Sequence, residues 1–130
     1  MEHDETQRVR PSERFAGAEH LLDISHALTD LRREPVRGDK GHRQIALVHE
    51  GPVRLVLFAF ESGGCMKEHA APGWVTIHVL RGTMLVRTAD AQHRLTAGTL
   101  LSLAPGVRHD VEATEETDML LGIYPAATAP

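Results

Sequence analysis

Two histidines stand where chemistry could be done. In the run Val107-Arg108-His109-Asp110-Val111-Glu112, apolar and charged residues alternate around His109. Side chains along a strand point to opposite faces in turn, so His109 shares an apolar face with Val107 and Val111, while Arg108, Asp110 and Glu112 take the other. An imidazole held among apolar groups is disfavoured in its charged form. It stays neutral near pH 7, the state needed to accept a hydrogen bond, act as a general base or ligate a metal. The same alternation places His69 on one face with Cys65, Lys67 and Ala71. On the following strand it puts Val75, Ile77 and Val79 inside and Thr76 and His78 outside, so His78 is a poor third ligand. Taken alone, each of His69 and His109 reads as a satisfied interior residue. Two of them, inward on separate strands, are harder to dismiss.

Other residues near this pair carry weaker signals. Lys67, if inward as parity indicates, could pair with a carboxylate on a ligand, although lysines near strand ends usually reach solvent. Trp74, the single tryptophan, either roofs a cavity or fills a rim contact. Cys65 reads as a small core residue, with nothing nearby to lower its pKa. His20, His26, His42, His49, His78 and His93 lack ligand spacing and are read as surface residues. No catalytic residue is assigned.

The elements that must position these groups are mostly strands. From His42 onward, short runs rich in Val, Leu, Ile and Thr alternate with turn residues, the pattern of an all-β sandwich or barrel. Strands are expected at 44–49, 53–61, 65–70, 74–80, 83–88, 93–96, 99–103, 107–112 and 117–124. Turns are expected at Glu50-Gly51-Pro52, Arg81-Gly82 and Ala104-Pro105-Gly106. Ile24, Leu28 and Leu31 recur at helical spacing, with Ser25 as a candidate cap and Pro35 as a stop, which predicts one short N-terminal helix. Residues 1–19 read as a flexible segment, 20–125 as the domain and 126–130 as a frayed end.

The strand from Val53 is apolar on both faces, with Val53, Leu55, Leu57 and Ala59 on one and Val56, Phe58 and Phe60 on the other. It must be covered twice. A partner subunit would supply the second cover in a homodimer, or the N-terminal helix would.

Composition bounds the class. The 130 residues carry a formal net charge of -4, 42% hydrophobic residues and one cysteine. These values suit one globular domain with no internal disulfide, and without surplus positive charge nucleic acid is not an expected partner. The longest apolar run, Leu55 to Phe60, is far too short to span a bilayer, and no leader-like segment is seen, so a cytoplasmic protein is expected.

Two segments carry a family resemblance. Gly63, His69 and Gly82 fall on the marks of a motif that runs Gly, five residues, His, one residue, His, three or four residues, Glu, six residues, Gly. Gly98, Gly106 and His109 match a second motif of Gly, five residues, Pro, one residue, Gly, two residues, His, with Asn four positions on. These segments resemble the cupin superfamily, in particular its small single-domain members. The resemblance implies a double-stranded β-helix, or jelly-roll, barrel with the short helix in front. It also implies a site of three imidazoles and a carboxylate around iron, manganese, nickel or zinc. Ala71 and Val75 occupy the positions of the second His and the Glu, proline has moved to Pro105, and Ala113 holds the Asn position.

Only His69 and His109 remain as metal ligands. Loss of a mere outer partner weakens a metal site by about 10- to 100-fold, so loss of two direct ligands weakens it further, and any divalent metal would be weakly held. One reading is a dry pocket lined by His69, His109, Lys67, Ala71, Trp74 and Val75 that binds a small, partly hydrophobic molecule, as a sensor or accessory binding protein. The second is a metal-dependent enzyme of dioxygenase or isomerase type using both histidines. The third is metal-free proton transfer on a sugar or keto acid.

Overall fold

The computed structural model describes residues 18–36 and 38–126. The ends expected to be flexible, 1–19 and 126–130, fall mostly outside these residues.

Among the described residues, one helix, α1 (Ile24–Arg33), precedes nine strands. Its cap is Asp23 rather than Ser25. Asp23 has extended backbone angles and its side chain accepts from the His26 amide at 3.0 Å, leaving Ser25 already inside the first turn. Arg32 and Arg33 occupy the last turn, where positive charge complements the helix dipole, and Pro35 follows the C-cap Glu34.

Nine strands follow: β1 (His42–Glu50), β2 (Val53–Phe60), β3 (Cys65–His69), β4 (Trp74–Arg81), β5 (Thr83–Thr88), β6 (Gln92–Thr96), β7 (Leu100–Leu103), β8 (His109–Ala113) and β9 (Thr117–Tyr124). All were foreseen, with ends moved by one or two residues. β8 starts at His109 because the Val107 amide bonds back to the Ala104 carbonyl at 3.2 Å in a turn. The strands form a five-stranded sheet in the order β1-β2-β9-β4-β7 and a four-stranded sheet in the order β3-β8-β5-β6, all pairs antiparallel. This is a jelly-roll, in which β2, β3, β4 and β5 alternate between the two sheets.

Alternation along each strand fills the space between the sheets. Phe58 and Phe60 of β2, Val75, Ile77 and Val79 of β4, Met84 and Val86 of β5, Val111 of β8 and Met119 and Leu121 of β9 form one buried cluster. The opposite face of β2 is covered by α1, where Leu31 packs with Leu57 and Ala59 and is joined by Ile24, Ala27, Leu28, Ile45, Leu47, Leu80 and Leu120. The helix thus supplies the second cover of β2, the task for which a partner subunit was the other candidate. Gly82 closes the β4-β5 turn at φ +94, and a Cβ there would sit 2.3 Å from the Glu116 carbonyl oxygen, so no other residue fits without displacing the backbone.

Candidate functional site

β3 and β8 bring the two histidines together. They are neighbours in the four-stranded sheet, and His69 is paired directly with His109. His109 reaches the interior by simple alternation, since Val111 and Ala113 beyond it are buried as well. His69 arrives differently. Cys65 pairs with Glu112 and Met66 with Val111, after which β3 takes three steps to reach His69 while β8 takes two to reach His109. The bulge shifts the phase of β3, so Met66 and His69 face inward.

This bulge corrects the reading of Lys67 and Cys65. Lys67 is exposed and, with Cys65, lies on the outside of the sheet. There they border a concave patch of about 480 Å³ with Glu68, Arg87, Asp110 and Glu112. Arg87 is engaged by Asp110 at 3.0 Å and Glu112 at 2.7 Å, so the charges of that patch are largely matched among themselves. Trp74 is also displaced from the expected pocket. It is 44% exposed on the outer face of β4 opposite Tyr124, because its neighbour Val75 takes the inward position. Val75 is buried in the core and Ala71 packs against it.

The two imidazole centroids lie 4.3 Å apart with planes tilted by 58°. His69 Nδ1 is 3.0 Å from the Lys67 carbonyl oxygen, and His109 Nδ1 is 3.1 Å from that of Val107. A carbonyl can only accept, so each Nδ1 carries the proton and each Nε2 presents a lone pair in the neutral ring. His109 is 2% exposed, and its Nε2 is buried without a hydrogen-bond partner. Burial pushes the His109 pKa below its ordinary 6.5; the Val107 carbonyl opposes this, and the neighbouring His69 adds to it.

A third polar residue adjoins them. Thr88 pairs with His109 across β5 and shares its inward face with Met84 and Val86, although its hydroxyl is engaged by Ala91. Period two in β5 would have shown it. At the rim, the Gly106 amide donates to the Ala71 carbonyl at 2.9 Å, tying the β3-β4 loop to the β7-β8 loop.

Two other histidines are not the surface residues expected. His42 is half-buried against Phe58 and Phe60, with centroids 5.3 and 5.2 Å away and Nδ1 buried without a partner. Burial, and to a lesser degree Lys40, lowers its pKa. His93 is half-buried and paired with the inward-facing Val86. His78 is half-buried on the outer face, while His20, His26 and His49 are exposed.

The lowered pKa of His109 makes folding stability depend on pH. The unfolded chain takes up a proton near pH 6.5 and the folded chain only at lower pH, so the unfolded state binds more protons between those values. Stability is therefore expected to be level above pH 6.5 and to fall as pH drops through the window below it. Urea unfolding midpoints from pH 8 to 5 should show this slope, reduced in His109→Gln. An unchanged slope in the variant would assign it elsewhere.

Two imidazoles with Nδ1 anchored to carbonyls and Nε2 free are arranged as metal-binding histidines usually are. Among the described residues, however, no group of three or more His, Cys, Asp or Glu side chains could hold an ion. The residues present fit one edge of a coordination sphere and not a tight metal site.

The Cupin domain family model matches residues 56–123, just over half the chain. The chain belongs to the cupin family. Solved structures agree on the fold of this cupin. It is similar to a protein of unknown function from Streptococcus pyogenes, with TM-score 0.68, 18% identity, and coverage of 88% of this chain and 94% of that one. It is also similar to a cupin superfamily protein from Desulfitobacterium hafniense, with TM-score 0.67, 17% identity, and coverage of 92% and 99%. An RmlC-like cupin from Desulfovibrio desulfuricans gives TM-score 0.60, 24% identity, and coverage of 72% and 92%. No curated protein matches the chain. Among the described residues, no helix of this cupin is long and apolar enough to cross a membrane.

Proposed function

We propose that this cupin binds a small molecule through His69 and His109, without depending on a tightly held metal. The observation that carries this reading is the buried, partnerless Nε2 of His109 beside His69. A buried acceptor left unsatisfied costs about 1–3 kcal/mol, and a ligand that donates to it recovers that cost. The apolar Ala71 and Val75, standing where the family pattern has ligands, supply the dry surface that such a pocket needs.

A second reading, a metal-dependent enzyme of dioxygenase or isomerase type, is favoured by the carbonyl-anchored Nδ1 atoms of both rings. Iron, manganese, nickel or zinc held by His69 and His109 would supply a Lewis acid, with water or ligand filling the other positions. Elemental analysis of purified protein separates the two readings. The binding reading expects far less than stoichiometric metal. Near-stoichiometric metal, lost in both His69→Ala and His109→Ala, would replace it with the enzyme reading.

A further inference from the structure

We propose that two copies of this cupin associate face to face through the part of the five-stranded sheet that α1 leaves bare, the outer side of β7, β4 and the last residues of β9. Val75, Ile77 and Val79 of β4 point into the core, so Trp74, Thr76 and His78 point out of the barrel. Strand pairing sets Leu100 beside His78, Ser102 beside Thr76 and Tyr124 beside Trp74. The apolar cluster under α1 draws on β1, β2, Leu80 and Leu120, and takes nothing from β7. Trp74 is left 44% exposed and Leu100 57% exposed.

The charge pattern separates this face from the rest of the barrel. The stretches 74–80 and 119–124 and all of β7 contain no Asp, Glu, Lys or Arg, yet the only tryptophan and the only tyrosine of the chain both lie here. Arg81 and Asp118 stand at the far end of the same strands, bonded to each other, with Asp118 also held by Arg32 of α1. The outer side of the four-stranded sheet is the opposite case, where Arg87 is matched by Asp110 and Glu112 and Arg108 by Glu68. A surface that neutralises its own charges gains little from a partner. One without charges but with exposed aromatic groups has the composition of an interface core. The chain carries a net charge of -4, so two copies repel overall and approach at least cost where neither presents a charge.

Shape points to the same partner. A Cβ on Gly122 would sit 2.5 Å from the Tyr124 hydroxyl and 2.6 Å from Thr76 Oγ1, so the tyrosine lies down over the glycine and the face stays flat. It is a shelf with α1 as a step along one side. Packed sheets stand about 10 Å apart and a helix is about 10 Å across, so a second copy can seat its own shelf here with each α1 flanking the contact. The chain is thereby complementary to itself. Three strands of this length bury on the order of 1,000 Å² in total across two copies, the low end for specific interfaces, and the dimer is expected to be reversible.

Sedimentation velocity on the full-length chain tests this, followed in parallel by Trp74 fluorescence. Between about 1 and 300 µM the unaltered protein should pass from monomer to dimer, with the Trp74 emission moving to shorter wavelength as the ring leaves water. Leu100→Arg and Ser102→Arg each alter an exposed side chain and set like charges against each other across the contact, so each should weaken association by about tenfold or more. Arg94→Glu, on the exposed side of the other sheet, should leave it unchanged. A protein that stays monomeric over the whole range, with constant Trp74 emission, would overturn the proposal. So would a dimer indifferent to both arginine variants or weakened by Arg94→Glu, since the contact would then lie on another face.

Discussion

Replacement of Asp118 by alanine is expected to cost about 3–4 kcal/mol of folding stability and to loosen α1 from the barrel. Asp118 lies on β9 with its side chain 7% exposed, and it accepts hydrogen bonds from Arg32 of α1 and from Arg81 Nε of β4, the latter at 3.0 Å. Both arginines also reach Glu116, Arg81 at 2.7 Å and Arg32 at 3.3 Å. Removing the buried carboxylate leaves the Arg32 guanidinium, only 23% exposed, with its better partner gone. Glu116 is exposed and cannot replace it inside. The effect falls short of the largest known for buried pairs because Arg81 is 54% exposed and keeps its hydration. Urea unfolding measures the loss, and amide exchange in α1 should accelerate more than exchange in β5 and β8. A change below about 0.5 kcal/mol would place the hold on α1 entirely in the Leu31, Leu57 and Ala59 contact.

The second large effect is a gain. Ala71→His combined with Val75→Glu is expected to raise affinity for a divalent metal such as zinc or nickel by more than about 100-fold over the unaltered protein. The two substitutions add the imidazole and carboxylate that the family pattern has at these positions. Without metal, the double variant should be the less stable protein, since Val75 is 3% exposed and glutamate there buries a carboxylate among apolar side chains. Metal should restore the loss, so the melting temperature should become strongly metal-dependent. Isothermal titration and thermal melts together check this. Unchanged affinity in a folded double variant would mean that His69 and His109 do not open onto the space beside positions 71 and 75.

Much of this architecture can be read from local pattern. The strands from His42 onward announce themselves by alternation and by glycines at the turns, and His109 is placed correctly because β8 runs from His109 to Ala113 without irregularity. β3 defeats the same reasoning. Nothing in Cys65-Met66-Lys67-Glu68-His69 marks the extra residue, so parity alone puts Lys67 inside, and only the pairing with β8 shows it outside. His69 survives that error by being the residue on which the register resumes. Trp74 shows a different limit, since its size suggested a roof while its parity, fixed by buried Val75, points it outward.

Long-range partners are less legible still. The covering of β2 was evident from its two apolar faces, yet the choice of α1 depends on Arg32 meeting Asp118, which lies 86 positions away. His42 looked like a surface residue because its aromatic neighbours are on another strand, paired through His42 to Phe60. Ser25 looked like a cap for a simpler reason. Asp23, two positions earlier, was an equally good cap residue and came first along the chain.

The site rests on two imidazoles that lie side by side, each holding its proton on Nδ1, with the His109 Nε2 buried and without a partner. Long-range proton-nitrogen correlation of the histidine rings at pH 7.5 tests it most directly. The structure predicts the Nδ1-protonated tautomer for both His69 and His109, a through-space contact between their ring protons, and a His109 ring that stays neutral below pH 6.5. A proton on Nε2 of His109, or ring protons too far apart for any mutual contact, would contradict the account.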